Sequence, residues 1–128
     1  MAGDDGDGYI ELLGSRDWSS GDGRARLELD VTDKHLNRTE TLHGGVLASV
    51  MDMAMAQAVR SSTGEGDVPA TSQLTVTYLR PGSADAGPLV VTAAIIKQGD
   101  DLTVCEADVE QEGRGLAHAL ATFAVLHT

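Results

Sequence analysis

The sequence predicts an α+β fold in which an antiparallel β-sheet wraps around one long central α-helix. Three observations carry this expectation. Residues 45–61 form an Ala- and Met-rich run too long for a strand and poor in β-branched residues. Several other stretches alternate apolar and polar side chains with period two, the mark of half-buried strands. The joins "KQGDDL" and "QEGRGL" are short and glycine-bearing, as antiparallel hairpins require.

Taken in order, residues 1–8 are almost wholly Gly and Asp and read as a disordered acidic tail, leaving 9–128 as a single domain. "YIELLGS" fits a short strand or a helical turn, and its pattern does not decide. In "RARLELDV", Ala25, Leu27, Leu29 and Val31 alternate with charged residues, so a strand is expected. A polar loop follows over 32–41, with room for a single helical turn near residues 33–36. The helix is expected from about Gly45 to Ser61, stopped by the glycines of "STGEGDVP". Because it is apolar nearly all round, it should be buried on most sides. Four further strands are expected in a meander: "ATSQLTVTYLRP", "GPLVVTAAIIKQGDD", "LTVCEADVEQEGRG" and "LAHALATFAVLHT".

Composition excludes several classes. Twenty acids against nine bases give a net charge of −11, which leaves no basic footprint for nucleic acid. No apolar run is long enough to span a membrane as a helix. One cysteine, Cys105, rules out an intrachain disulfide, and no Cys/His cluster has metal-binding spacing. "MAGDDGDG" is acidic where a secretory signal is basic, so a cytoplasmic protein is expected. Thirteen aspartates, seven glutamates and only two lysines look like a surface adapted to molar salt, the pattern of halophilic cells.

The candidate chemistry lies in "HGGVLASVMD", residues 43–52. Two glycines at a helix start allow another group to approach the backbone closely. The first N–H groups of a helix lack internal partners and carry the positive end of its dipole. Gly44 and Gly45 are therefore candidate donors to a carbonyl oxygen that gains negative charge. Asp52, the one acid in an apolar helix, lies about two turns (~10 Å) beyond Gly45. It is too far to serve its own helix start, but it can serve that of a second copy lying antiparallel, which predicts a dimer with shared sites. The competing reading makes Asp52 a hydrogen-bonded core acid, or part of a polar strip with Ser49. His43 alone reads first as a structural hydrogen-bond partner, and Cys105 as core filler.

The segment "NRTETLHGGVLASVMD" resembles the hotdog-fold acyl-CoA thioesterases of the phenylacetic-acid-degradation type. Asn37, the His43-Gly44-Gly45 turn and Asp52 stand at that family's spacing, and "TSQLTVTYLRPG" is similar to the strand after its central helix. The resemblance implies a hotdog fold, homodimers often paired into homotetramers, an acyl-CoA substrate, no metal and no cofactor. It implies Asp52 as nucleophile or general base, with the partner subunit's Gly44 amide, helped by Gly45, polarising the thioester. His43 belongs to the same catalytic signature, Asn37 would orient water or thioester, and Thr71 would assist the water. Arg80 and Lys97 are the candidates for phosphate contact. The turn Lys97-Gln98-Gly99-Asp100-Asp101 departs from the family by carrying acids where bases are common.

Two rival functions use the same fold: a non-catalytic acyl-CoA-binding module, and an enoyl-CoA hydratase. The latter wants a catalytic histidine near its aspartate, and none follows Asp52 before His118. Aryl, short-chain and medium-chain acyl groups all fit this sequence. If the acidity is a salt adaptation, melting temperature should rise steadily from dilute buffer into molar KCl as self-repulsion is screened. A curve flat across that range would remove the expectation.

Overall fold

Alternation in the sequence becomes a single six-stranded sheet in the computed structural model, which describes residues 8–127. Helix α1 (Gly8–Leu13) leads into β1 (Ser15–Gly21) and β2 (Arg24–Leu29). A short 3-10 turn (Asp33–His35) precedes helix α2 (Gly44–Arg60). Then come β3 (Val68–Tyr78), β4 (Leu89–Gln98), β5 (Leu102–Gln111) and β6 (Arg114–Leu126). The strand order is β1-β2-β4-β5-β6-β3, antiparallel at every junction. The sheet curls around α2, which gives the expected hotdog architecture.

The expected strand faces are those observed. Ala25, Leu27 and Leu29 point into the core from β2, as do Cys105, Ala107 and Val109 from β5. They meet Val50, Met51, Ala54, Met55, Ala58 and Val59 of α2, all of them buried, with Phe123 of β6 as the largest fully buried side chain. Tight turns join β1 to β2 and β5 to β6. Asp22–Gly23 (φ 53° and 75°) and Glu112–Gly113 (φ 51° and 76°) hold positive φ at both central residues, as two-residue hairpins require.

Four expectations need correction. The strands after α2 do not form one meander: β4, β5 and β6 do, but β3 pairs with β6 at the outer edge, and β4 pairs with β2. The loop over residues 79–88 makes this crossing possible, because it is too long to impose a hairpin. Second, of the two structures left open for "YIELLGS" the helical one is observed, as α1, and the edge strand β1 that follows it was not expected. Third, residues 1–7 of the expected tail lie outside the described residues, and Gly8 opens α1 instead of closing a tail.

The fourth correction concerns α2. It is buried on one face rather than most of its circumference, because the sheet covers only that face. Ser49, Asp52, Met53, Ala56 and Gln57 form a half-buried stripe opposite the core, and Arg60 at its end is exposed. Asp52 is thus an acid on an open stripe, not an ion sealed in the interior.

Strand β3 carries a bulge between Thr71 and Gln73, where its register against β6 slips by one residue. Thr103 on β5 is fully buried with no hydrogen-bond partner for its Oγ1 among the described residues. An orphan buried hydroxyl is costly, and valine has nearly its shape. Thr103→Val should therefore raise the unfolding free energy by about 1 kcal/mol, read as a higher urea midpoint at unchanged slope. A lower midpoint would show that the hydroxyl is satisfied.

Candidate active site

The start of α2 is held from behind by His35. This buried ring accepts the Thr32 N–H at Nδ1 (2.9 Å) and donates from Nε2 to the Leu13 carbonyl (2.8 Å). Its own carbonyl accepts the His43 N–H at 2.9 Å, and an isolated bridge between Leu36 and Leu42 closes the intervening loop. One histidine therefore ties α1, the 30s loop and the His-Gly-Gly turn together. The sequence reading assigned His35 nothing, because a lone histidine in a polar loop carries no periodic signal.

His43 is the N-cap of α2, and its Nδ1 accepts the Gly45 N–H at 2.8 Å. The structural reading of His43 is the one observed, and the bond has a consequence for Gly45. The Gly45 amide is committed to its own chain and is not left for a ligand. The Gly44 N–H, by contrast, has no partner among the described residues. Its carbonyl accepts the Tyr78 hydroxyl at 2.7 Å, and a Cβ at position 44 would lie only 3.1 Å from the Tyr78 ring. A side chain there would crowd Tyr78, so glycine fits for space as well as for exposure of its amide.

Asp52 accepts the Thr71 hydroxyl at Oδ1, 2.7 Å away. Its Oδ2 has no hydrogen-bond partner among the described residues, and Asp52 lines a cavity of about 320 Å³. That volume is at the small end of the range of ~300–1,000 Å³ typical of ligand pockets. Tyr9, Ile10, Trp18, Met53, Ala56 and Arg60 also line it. The Tyr9 hydroxyl and Ser49 Oγ share a hydrogen bond of 2.6 Å, which lays α1 across the open stripe of α2. A larger neighbouring cavity of about 490 Å³ shares Ile10, Trp18 and Gln57 but contains no part of Asp52.

The structure brings together Asp52 and Thr71, and separately Gly44 and Tyr78. Within one chain, Asp52 lies eight residues beyond Gly44, about 12 Å along the helix axis. Asn37 joins neither pair. Its Oδ1 accepts from the Thr39 N–H (2.9 Å), the Thr39 hydroxyl (2.7 Å) and the Thr41 N–H (3.2 Å), while Nδ2 donates to Thr41 Oγ1 (2.9 Å). The side chain closes its own loop. Arg80 and Lys97 also stand apart. Arg80 follows β3, donates to the Gly115 carbonyl (2.8 Å) and lines a cavity with Gly44, whereas Lys97 precedes Gln98, the last residue of β4, which donates to the Ser62 carbonyl just past α2.

Other candidate groups fall away on geometry. His118 Nδ1 bonds Asp108 Oδ1 at 2.8 Å across β5 and β6 on the outer face of the sheet, away from Asp52. That leaves the hydratase reading without its histidine. Cys105 is buried in the core, and burial pushes its thiol up to about 11. Among the described residues no group of three His, Cys, Asp or Glu can hold a metal, and no helix is long and apolar enough to cross a membrane. The sequence reading missed Tyr9, Trp18, Tyr78 and Arg60 as parts of either site. Only Tyr78 left a trace, in the Tyr-Leu-x-Pro stretch.

Comparison with known proteins finds relatives in sequence and in fold. Human acyl-coenzyme A thioesterase 13 is 30% identical over 98 residues, covering 76% of this chain and 68% of that protein. The Escherichia coli acyl-coenzyme A thioesterase PaaI is 33% identical over 103 residues, covering 80% and 71%. Its solved structure superposes with a TM-score of 0.87 at 29% identity, over 98% of this chain and 89% of that one. A conserved protein from Pseudomonas aeruginosa has a TM-score of 0.87 at 36% identity, over 92% and 93%. The family model for the thioesterase superfamily matches residues 39–118, a span that holds Gly44, Asp52, Thr71 and Arg80 and begins after Asn37. The chain belongs to the thioesterase superfamily.

Proposed function

We propose that this protein hydrolyses an acyl-CoA thioester to the free acid and CoA. The observation that carries the reading is Asp52 itself. It is a carboxylate with one oxygen held by Thr71, the other unpartnered, and a ligand-sized cavity beside it. The names of the human and Escherichia coli relatives support the substrate class.

In this reading two subunits share each site. The thioester carbonyl sits against the unpartnered Gly44 N–H of the partner subunit, where the helix dipole and the amide both favour a developing oxyanion. Asp52 acts from the facing helix as general base or nucleophile. As general base, Oδ2 takes a proton from water while the water oxygen bonds to the acyl carbon. The C–S bond then breaks and the departing thiolate collects that proton, so the balance is acid plus thiol. Thr71 fixes the rotamer of Asp52, and Tyr78 holds the Gly44 carbonyl, in the peptide that follows the donor amide. His43 keeps the Gly45 amide occupied, which leaves Gly44 as the sole donor of the turn. Asn37 shapes the preceding loop. Arg80, at the Gly44 end, is the better placed of the two cations to meet the phosphates of CoA.

Asp52→Ala should lower kcat by about 10²–10⁴-fold on a hydrolysed acyl-CoA, with the circular dichroism and melting temperature of the parent. Full activity in that variant would refute the mechanism. If the parent binds acyl-CoA thioesters but releases no thiol across alkyl and aryl acyl groups in molar KCl, the chain is instead a binding module.

A further inference from the structure

We propose that the cavity beside Asp52 is an acyl pocket built for an acyl group with a carboxylate at its far end. This rests on the thioesterase reading and narrows it to a substrate class. The cavity lining combines three kinds of group: the Asp52 carboxylate, an apolar set from Ile10, Trp18, Met53 and Ala56, and Arg60, which lies two turns further along α2 than Asp52. The indole N–H of Trp18 is already given to Ser15 Oγ at 2.9 Å, so the ring offers the cavity an apolar surface.

Arg60 is the one cation in this lining among the described residues. Two other arginines of the chain are held by acids. Arg16 pairs with Asp30 at 2.8 Å and Arg26 with Glu28 at 2.9 Å. The Arg60 guanidinium takes part in no ion pair or side-chain hydrogen bond among the described residues, although it shares a cavity with Asp52. Guanidinium is the side chain best suited to grip a carboxylate through two parallel hydrogen bonds. Asp52 and Arg60 are eight residues apart on one helix stripe, an axial distance of about 12 Å. Allowing ~3 Å for approach at the reacting carbon and ~3 Å for a carboxylate–guanidinium bond leaves about 6 Å for the acyl body. A four-methylene chain or a benzene ring fills that length.

The charge of the whole protein sharpens the test. At −11, long-range repulsion disfavours the more anionic of two matched thioesters. A preference for it must come from a local cation. The probes are adipoyl-CoA and hexanoyl-CoA, which have equal carbon counts and differ in one terminal carboxylate. Trp18, the single tryptophan, lines the cavity and reports binding by its fluorescence.

In the Asp52→Ala background, which blocks turnover, adipoyl-CoA should bind at least tenfold tighter than hexanoyl-CoA. Adding Arg60→Gln should erase that ratio, and Arg60→Lys should restore part of it. The kcat/KM ratio of the parent should show the same preference. Equal affinities in the Asp52→Ala protein would overturn the proposal, as would a ratio that survives Arg60→Gln. Equal weakening of both ligands by Arg60→Gln would also overturn it, since Arg60 would then hold their common CoA part. If the parent hydrolyses neither thioester nor any aryl acyl-CoA, the thioesterase reading fails, while the fluorescence ratio still decides the role of Arg60.

Discussion

Everything in this structure depends on how a sheet covers a helix. The residues of α2 that face inward, from Leu47 to Val59, are buried against the concave face of the six strands. Burying such side chains contributes roughly 1.5–3 kcal/mol each. One curled sheet can cover only one side of a cylinder, so the opposite stripe of α2 stays accessible. The polar residues of α2 are gathered there: Ser49, Asp52, Gln57 and Arg60. The same burial that stabilises the fold fixes the stripe in space. The carboxylate is thus presented by a rigid helix rather than by a loop.

The start of the helix is organised by a different economy of hydrogen bonds. A helix exposes its first N–H groups, and this chain disposes of them one at a time. Gly45 donates to the His43 ring, while the Val46 and Leu47 amides donate to the His43 carbonyl at 2.9 and 3.4 Å. Gly44 alone is left over. The His-Gly-Gly turn therefore concentrates the positive end of the dipole on one amide, and Tyr78 fixes the plane of the peptide that follows it.

The long helix was legible from residues 45–61, and its observed bounds fall within one residue of that reading. The core faces of β2 and β5 were equally plain, because period-two alternation is a local signal that burial enforces directly. The placement of β3 was not legible. Its pairing with β6 spans some fifty residues, and nothing in "ATSQLTVTYLRP" names its neighbour. Gly44, Asp52 and Thr71 were singled out through spacing and resemblance, and the structure shows the Asp52–Thr71 bond. The cover formed by Tyr9 and Trp18 was not, since "YIELLGS" fits two structures equally well and its helical outcome rests on a tertiary bond to Ser49. Arg60 looked like an ordinary basic residue in the last turn of a helix. Only the three-dimensional neighbourhood shows that no acid claims it.

The bulge in β3 has a meaning that reaches beyond local strand shape. Thr71 and Tyr78 are an odd number of residues apart, so on a regular strand their side chains would project from opposite faces. Both nonetheless touch α2, Thr71 at Asp52 and Tyr78 at Gly44. The slip between Thr71 and Gln73 reverses the parity midway along the strand and makes this possible. Ser72 thereby matters as a spacer: its side chain is replaceable, but its presence in the count is not. Deleting that one residue would turn one anchor outward while leaving every named site residue in the sequence, a lesion that no inventory of side chains would reveal.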